Sequence, residues 1–106
     1  AELPDPETLR EYVSWLTGGH LDQIVAGGAS RAEVIGPLRG ASGGYEGPLR
    51  VESRYIFPTL EAFRAYEAVH APRLRAEGRA RFGPERGVRM ARSLGEVAGR
   101  AGGPEA

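Results

Sequence analysis

His20 and His70 are the only side chains in this chain that titrate near neutral pH, and each follows an amphipathic segment that carries an aromatic residue, Trp15 or Tyr66. A neutral imidazole can relay a proton or ligate a metal, so both histidines are candidates for acid–base work or metal binding. The competing reading is structural, each histidine capping its helix end through a backbone hydrogen bond. Asp22, two residues after His20, would complete a set of two histidines and one carboxylate, but the spacing alone carries no metal-binding signature. Arg54 and Arg73 are candidates to hold an anion or stabilise an oxyanion. Tyr55 and Trp15 are candidates for the wall of a ligand pocket, against the ordinary role of such aromatics in a core.

Missing residue types narrow the chemistry further. The chain has no Cys, so disulfides, thiolate nucleophiles, cysteine zinc sites and iron–sulfur clusters are excluded. It has no Lys, which removes Walker-type phosphate loops and Schiff-base catalysis. All 14 basic residues are Arg, balanced by 14 acidic ones. Segment 73–92 is locally positive, with seven Arg against two Glu, and residues 1–72 compensate with ten acids against six Arg. These arginines, Arg81 and Arg86 among them, could hold an anionic ligand or a nucleic-acid backbone; the competing reading is a solvated face that pairs with the acidic N-terminal part of the same or a partner chain, and a net charge of zero argues against nucleic acid. The run Gly40-Ala41-Ser42-Gly43-Gly44 matches the pattern of a nucleophile elbow in form only, because Tyr45-Glu46-Gly47-Pro48 follows it and no helix does.

The elements that must position these residues are legible from punctuation and periodicity. Asp5-Pro6 opens a helix in which Leu9, Tyr12, Val13 and Leu16 share a face, and Gly18-Gly19 is expected to end it. A short helix over 20–26 and a strand over 30–35 follow. The Gly- and Pro-rich stretch 36–48 reads as an exposed hairpin loop. From Leu49 to Phe57 apolar and charged residues alternate with the period of a half-buried strand. Pro58-Thr59 starts a helix presenting Leu60, Phe63, Tyr66 and Val69 on one face; His70-Ala71-Pro72 breaks it, and a second helical piece runs to about Phe82. Val88–Val97 is predicted as the last strand. Residues 1–97 of the 106 make one domain, and 98–106 a flexible tail.

The two halves match. Leu9, Trp15, His20, Ile24 and Gly28 correspond to Leu60, Tyr66, His70, Leu74 and Gly78, at an offset of 51 falling to 50. Two copies of strand–helix–strand predict an α+β domain of the split βαβ (ferredoxin-like) kind, an antiparallel sheet with its helices on one face. Only Ala1-Glu2-Leu3 precede the first helix, so the first strand is short or missing.

The run Ser53-Arg54-Tyr55-Ile56-Phe57-Pro58, with Glu61-Ala62-Phe63, Tyr66 and His70-Ala71-Pro72-Arg73-Leu74-Arg75, resembles an uncharacterised bacterial domain-of-unknown-function family. Trp15-Leu16, His20-Leu21, Gly78 and Phe82 extend the resemblance over most of residues 5–97. That family looks like part of the dimeric α/β barrel superfamily, whose relatives include antibiotic-biosynthesis monooxygenases, haem-degrading enzymes and stress-responsive barrel proteins. The resemblance implies a homodimer with two sheets face to face and a cleft between sheet and helices. The short first strand and the enlarged Gly-rich loop depart from it.

Two functional expectations follow. One is a homodimeric binding or scaffold protein, taking a small-molecule ligand and no cofactor. The other is a cofactor-free oxidoreductase or isomerase acting on a small aromatic or polyketide-like substrate, with His20 or His70 as base and Arg54 or Arg73 at the oxyanion. No apolar run reaches the ~20 residues that span a bilayer and no signal peptide is legible, so the expected setting is cytoplasmic, away from membranes.

Overall fold

The structure, a computed structural model, describes residues 1–102 and is an α+β arrangement. Helix α1 (Pro6–Trp15) begins where Asp5, in an extended conformation, accepts the Thr8 N–H on Oδ1 at 2.7 Å while Pro6 occupies the first turn. Gly18-Gly19 does not end the helical path, as expected from sequence, but kinks it. Leu16–His20 form a π turn in which the Leu21 N–H donates to Leu16 C=O, and Gly19 takes φ +145°, a conformation that side chains rarely adopt. The path continues as α2 (Leu21–Ala26).

Strand β1 (Arg31–Ile35) pairs antiparallel with β2 (Glu52–Ile56), Arg31 opposite Ile56 and Ile35 opposite Glu52. Between them the loop closes on itself through a bridge from Arg39 to Tyr45, with the Arg39 guanidinium 4.3 Å from the centre of the Tyr45 ring. Helix α3 (Leu60–Val69) is capped by Thr59, whose Oγ1 accepts the Ala62 N–H at 3.0 Å, and α4 (Ala71–Arg81) follows directly, with Pro in its first turn.

Residues 1–3 act as a very short strand. Ala1 and Val51 exchange backbone hydrogen bonds at 2.7 and 2.8 Å, Leu3 N–H donates to Leu49 C=O, and Glu2 exchanges a pair with Arg89. The strand predicted over Val88–Val97 is reduced to this single bridge at Arg89. Its only neighbour is three residues long, and Pro4 has no N–H with which to extend the ladder. Of the tail expected over 98–106, residues 103–106 lie outside the described residues.

One face of the strands is buried against the helices. Leu3, Val51 and Val88 pack with Leu9, Tyr12, Leu16 and Phe82. Ile24, Ala29, Tyr66, Ala71 and Leu74 form a second cluster, against which Tyr55 and Phe57 pack. Each fully buried Leu or Ile contributes about 1.5–3 kcal/mol through removal from water. The opposite face is charged, with cross-strand or near-neighbour pairs Glu2–Arg50 (3.3 Å), Glu2–Arg89 (2.6 Å), Glu52–Arg54 (2.9 Å) and Arg31–Glu33 (3.0 Å). Pairs this exposed contribute little to stability and keep the face wet.

Candidate functional site

The spacing of Arg73, Glu77 and Arg81, four residues apart, places them along one ridge of α4. This ridge starts beside α2, passes the kink at His20 and ends at the cleft that α1 lines. Near its start Arg73 donates to Gln23 Oε1 of α2 at 2.9 Å and to Glu77 Oε1 at 3.1 Å. In the middle, Glu77 lies near His20 and raises its proton affinity, while burial lowers it more, so the imidazole sits below its ordinary value. Nδ1 of His20 is buried without a hydrogen-bond partner among the described residues.

Trp15 joins these groups. Its indole stacks on the His20 ring, with centroids 4.1 Å apart and planes at 26°, and a Cβ added at Gly78 would meet Trp15 Cη2 at 3.4 Å. The indole also packs 5.7 Å from the Phe82 ring and 6.2 Å from the Tyr12 ring, centre to centre. The kink at Gly19 is what turns His20 back onto Trp15; a straight helix would separate residues five apart by more than one turn.

Past Trp15 the seam widens into an open cleft of about 590 Å³, with Trp15 and Phe82 on its wall and Arg10, Glu11, Arg81 and Arg86 around it. Arg86 is fully engaged, donating to Glu11 at 2.8 Å and to the Arg81 carbonyl at 2.9 Å, with its guanidinium 5.0 Å from the centre of the Phe82 ring. Arg10 and Arg81 have no ion-pair or hydrogen-bond partner for their guanidinium groups among the described residues.

Of the seven residues singled out from sequence, the structure therefore brings Trp15, His20 and Arg73 together around Glu77. His70 closes the α3–α4 corner, stacked on Tyr66 at 6.4 Å and packed over Gly27, where an added Cβ would come within 3.1 Å of both rings. Arg54 lies on the charged outer face beside Glu52. Tyr55 is half-buried against the second cluster, and burial pushes its phenol upward. Neither histidine side chain caps a helix; both pack on an aromatic ring instead, which corrects the structural role expected for them. Among the described residues, no three His, Asp or Glu gather in a metal-binding group, so Asp22 and His20 gain no third ligand.

Glu77, Arg10 and Phe82 were not legible as site residues, and Arg81 and Arg86 were legible only as members of a basic segment that could hold an anion. The i, i+4 spacing of 73, 77 and 81 was the one signal available for Glu77, and it needed the corner that holds His20 to give it meaning. No family model, curated protein or solved structure matches this chain. No helix among the described residues is long and apolar enough to cross a membrane.

Proposed function

We propose that the chain is a split βαβ (ferredoxin-like) domain that binds a small molecule in the seam between α1 and α4 without transforming it. The fold part of this reading is supported by the strand order. Leu49 and Val51 turn their backbone groups toward residues 1–3, whereas Ile56, of opposite parity, accepts from Ser30 beside β1. Residues 1–3 and β1 therefore flank opposite edges of the 49–56 strand, and Arg89 pairs on the far side of Glu2. The resulting order is 89, 1–3, 49–56, 31–35, with antiparallel neighbours throughout and a helical crossover in each half, as a split βαβ sheet requires. Pairs 50 residues apart, Ala1–Val51 and Gln23–Arg73, bond to each other, and Ile24 shares a cluster with Leu74. Contacts of this kind arise where a two-fold axis relates two copies of one motif.

The observation that carries the binding reading is the meeting of Trp15, His20 and Arg73 around Glu77, beside an open cleft, without a hydrogen-bonded acid–base pair. The inner nitrogen of His20 has no hydrogen-bond partner among the described residues to orient the imidazole for proton transfer, which favours binding over catalysis. His70 packs at the other corner and Arg54 lies on the outer face of the strands, while Tyr55 reaches only the Tyr12 side of α1, behind Trp15. A thermal-shift screen of aromatic acids, amines, quinones and haem tests the reading. A ligand should raise the midpoint of wild type and of His70→Ala but not of Arg81→Gln. A shift lost in His70→Ala and kept in Arg81→Gln would move the site to the other corner and overturn it.

A homodimer has one observation in its favour. The extended segment after Met90 leaves Leu94 68% and Val97 58% exposed, apolar surface that a second copy would cover. Stacking two sheets as in a barrel would instead bury Glu2, Arg50, Glu52, Arg54 and Arg89, at several kcal/mol for each charge not well paired. Association through the arm is thus the form we propose. Sedimentation equilibrium should show a dimer that Leu94→Ser with Val97→Ser dissociates; a monomer at every concentration would contradict it.

A further inference from the structure

We infer that the outer cleft of the seam is a binding site for a planar aromatic monocarboxylate, its ring against Trp15 and its carboxylate held by Arg10 and Arg81. This rests on the binding reading above and names the ligand class. The cleft volume of about 590 Å³ lies in the range of small-ligand sites. Its aromatic wall is preset. His20 covers one face of Trp15, and Phe82 is fixed at 4% exposure under the Arg86 guanidinium. Half-buried Trp15 keeps part of its indole accessible on the cleft wall, and neither ring has to be ordered by the ligand, so an apolar ring gains contact there at little entropic cost.

Charge selects among flat partners. Three guanidinium groups, of Arg10, Arg81 and Arg86, face two carboxylates, of Glu7 and Glu11, around the cleft. Arg86 and Glu11 neutralise each other at 2.8 Å, which leaves Arg10 and Arg81 against Glu7 alone. One negative charge completes the balance, while a dianion would bring its second charge toward Glu7. A guanidinium presents paired donors that match the two oxygens of a carboxylate, and these two have no competing partner among the described residues. A cationic or neutral ring of the same size would gain the wall and lose the charge-assisted hydrogen bonds.

Trp15 is the only tryptophan, so its emission reports on this cleft directly. The full chain is titrated with benzoate, with its neutral isostere benzamide, and with benzylamine. Benzoate should produce a saturable change in Trp15 emission at a concentration about 10-fold or more below that needed for benzamide. Arg10→Gln and Arg81→Gln should each weaken benzoate by about 10-fold, while Arg64→Gln, on α3, should not. All three substitutions are at exposed positions, and an unchanged melting midpoint checks that each variant folds. Equal affinity for benzoate and benzamide, or wild-type benzoate binding by both cleft variants, would overturn the proposed ligand class. If benzylamine or benzamide alone moves the emission, the ligand class falls and the binding reading stands. If no ring of any charge moves it, both fall.

Discussion

The Trp15–His20 pair and the Tyr66–His70 pair are similar constructions, 51 and 50 residues apart, each a ring four or five residues before a histidine at a helical corner. Each pair also packs toward a glycine of the other half: Trp15 over Gly78, and Tyr66 with His70 over Gly27. Their surroundings differ. At the second corner the contact is tight, and the position matching Glu77 is Gly27, so no carboxylate faces His70 from there. At the first, the contact is looser, Glu77 stands beside His20, and the wall continues into an arginine-lined cleft. Equivalent packing with unequal charge teaches that the aromatic–histidine pairing alone does not mark a site, and that the α4 ridge, without a counterpart in the first half, makes one corner a candidate site.

The largest effects should come where the halves are most alike. Ile24 and Leu74, 0% and 2% exposed, occupy matching positions in one cluster. Ile24→Ala and Leu74→Ala should each lose about 2–5 kcal/mol of stability in denaturant unfolding. A loss at one position only would break the equivalence of the halves.

The two glycines sharpen the contrast. Gly27→Ala places a methyl 3.1 Å from His70 Cγ and Tyr66 Cδ1, so it should destabilise by about 1–3 kcal/mol. Gly78→Ala, in mid-α4 with 3.4 Å of clearance to Trp15, should be neutral or gain up to about 1 kcal/mol in helix propensity. Paired melting curves decide this, and equal losses would mean that the two corners are equally closed.

A smaller effect belongs to His20. Because burial lowers its folded pKa below the ordinary 6.5, the unfolded chain binds more protons in the window below that value. Stability should therefore be flat above neutrality and fall as the pH drops through about 6.5 toward the lowered folded value. His20→Gln should flatten that part of the profile, and an unchanged profile would remove His20 from the buried seam. The smallest effect is expected for Arg73→Ala, whose exposed bonds to Gln23 and Glu77 should be worth about 1 kcal/mol or less.

Much of the scaffold was legible because it is local. Asp5-Pro6 and Thr59 act as the caps their types suggest, and the alternation over 49–57 separates buried Val51 from exposed Arg50, Glu52 and Arg54. The offset read between the halves reappears as hydrogen bonds between residues 50 apart. The failures are non-local. The strand over 88–97 was misjudged because its ladder is limited by a three-residue neighbour at the other end of the chain. Gly18-Gly19 looked like a stop, yet Leu16 and Ile24 are both buried on either side of it, and one π turn lets the path continue. Trp15, His20 and Arg73 could be named from their types and Arg81 from its basic segment, whereas Glu77 acquires meaning only once α4 passes the corner that holds His20.

The most direct test of the seam as the functional site is a proton–nitrogen correlation spectrum of the full chain during a benzoate titration. The account predicts progressive shifts of the Trp15 indole N–H and of the backbone amides of Arg10, Arg81 and Phe82, with Gly27 and His70 unmoved. Shifts centred on Gly27 and His70, with the Trp15 indole unmoved, would contradict it.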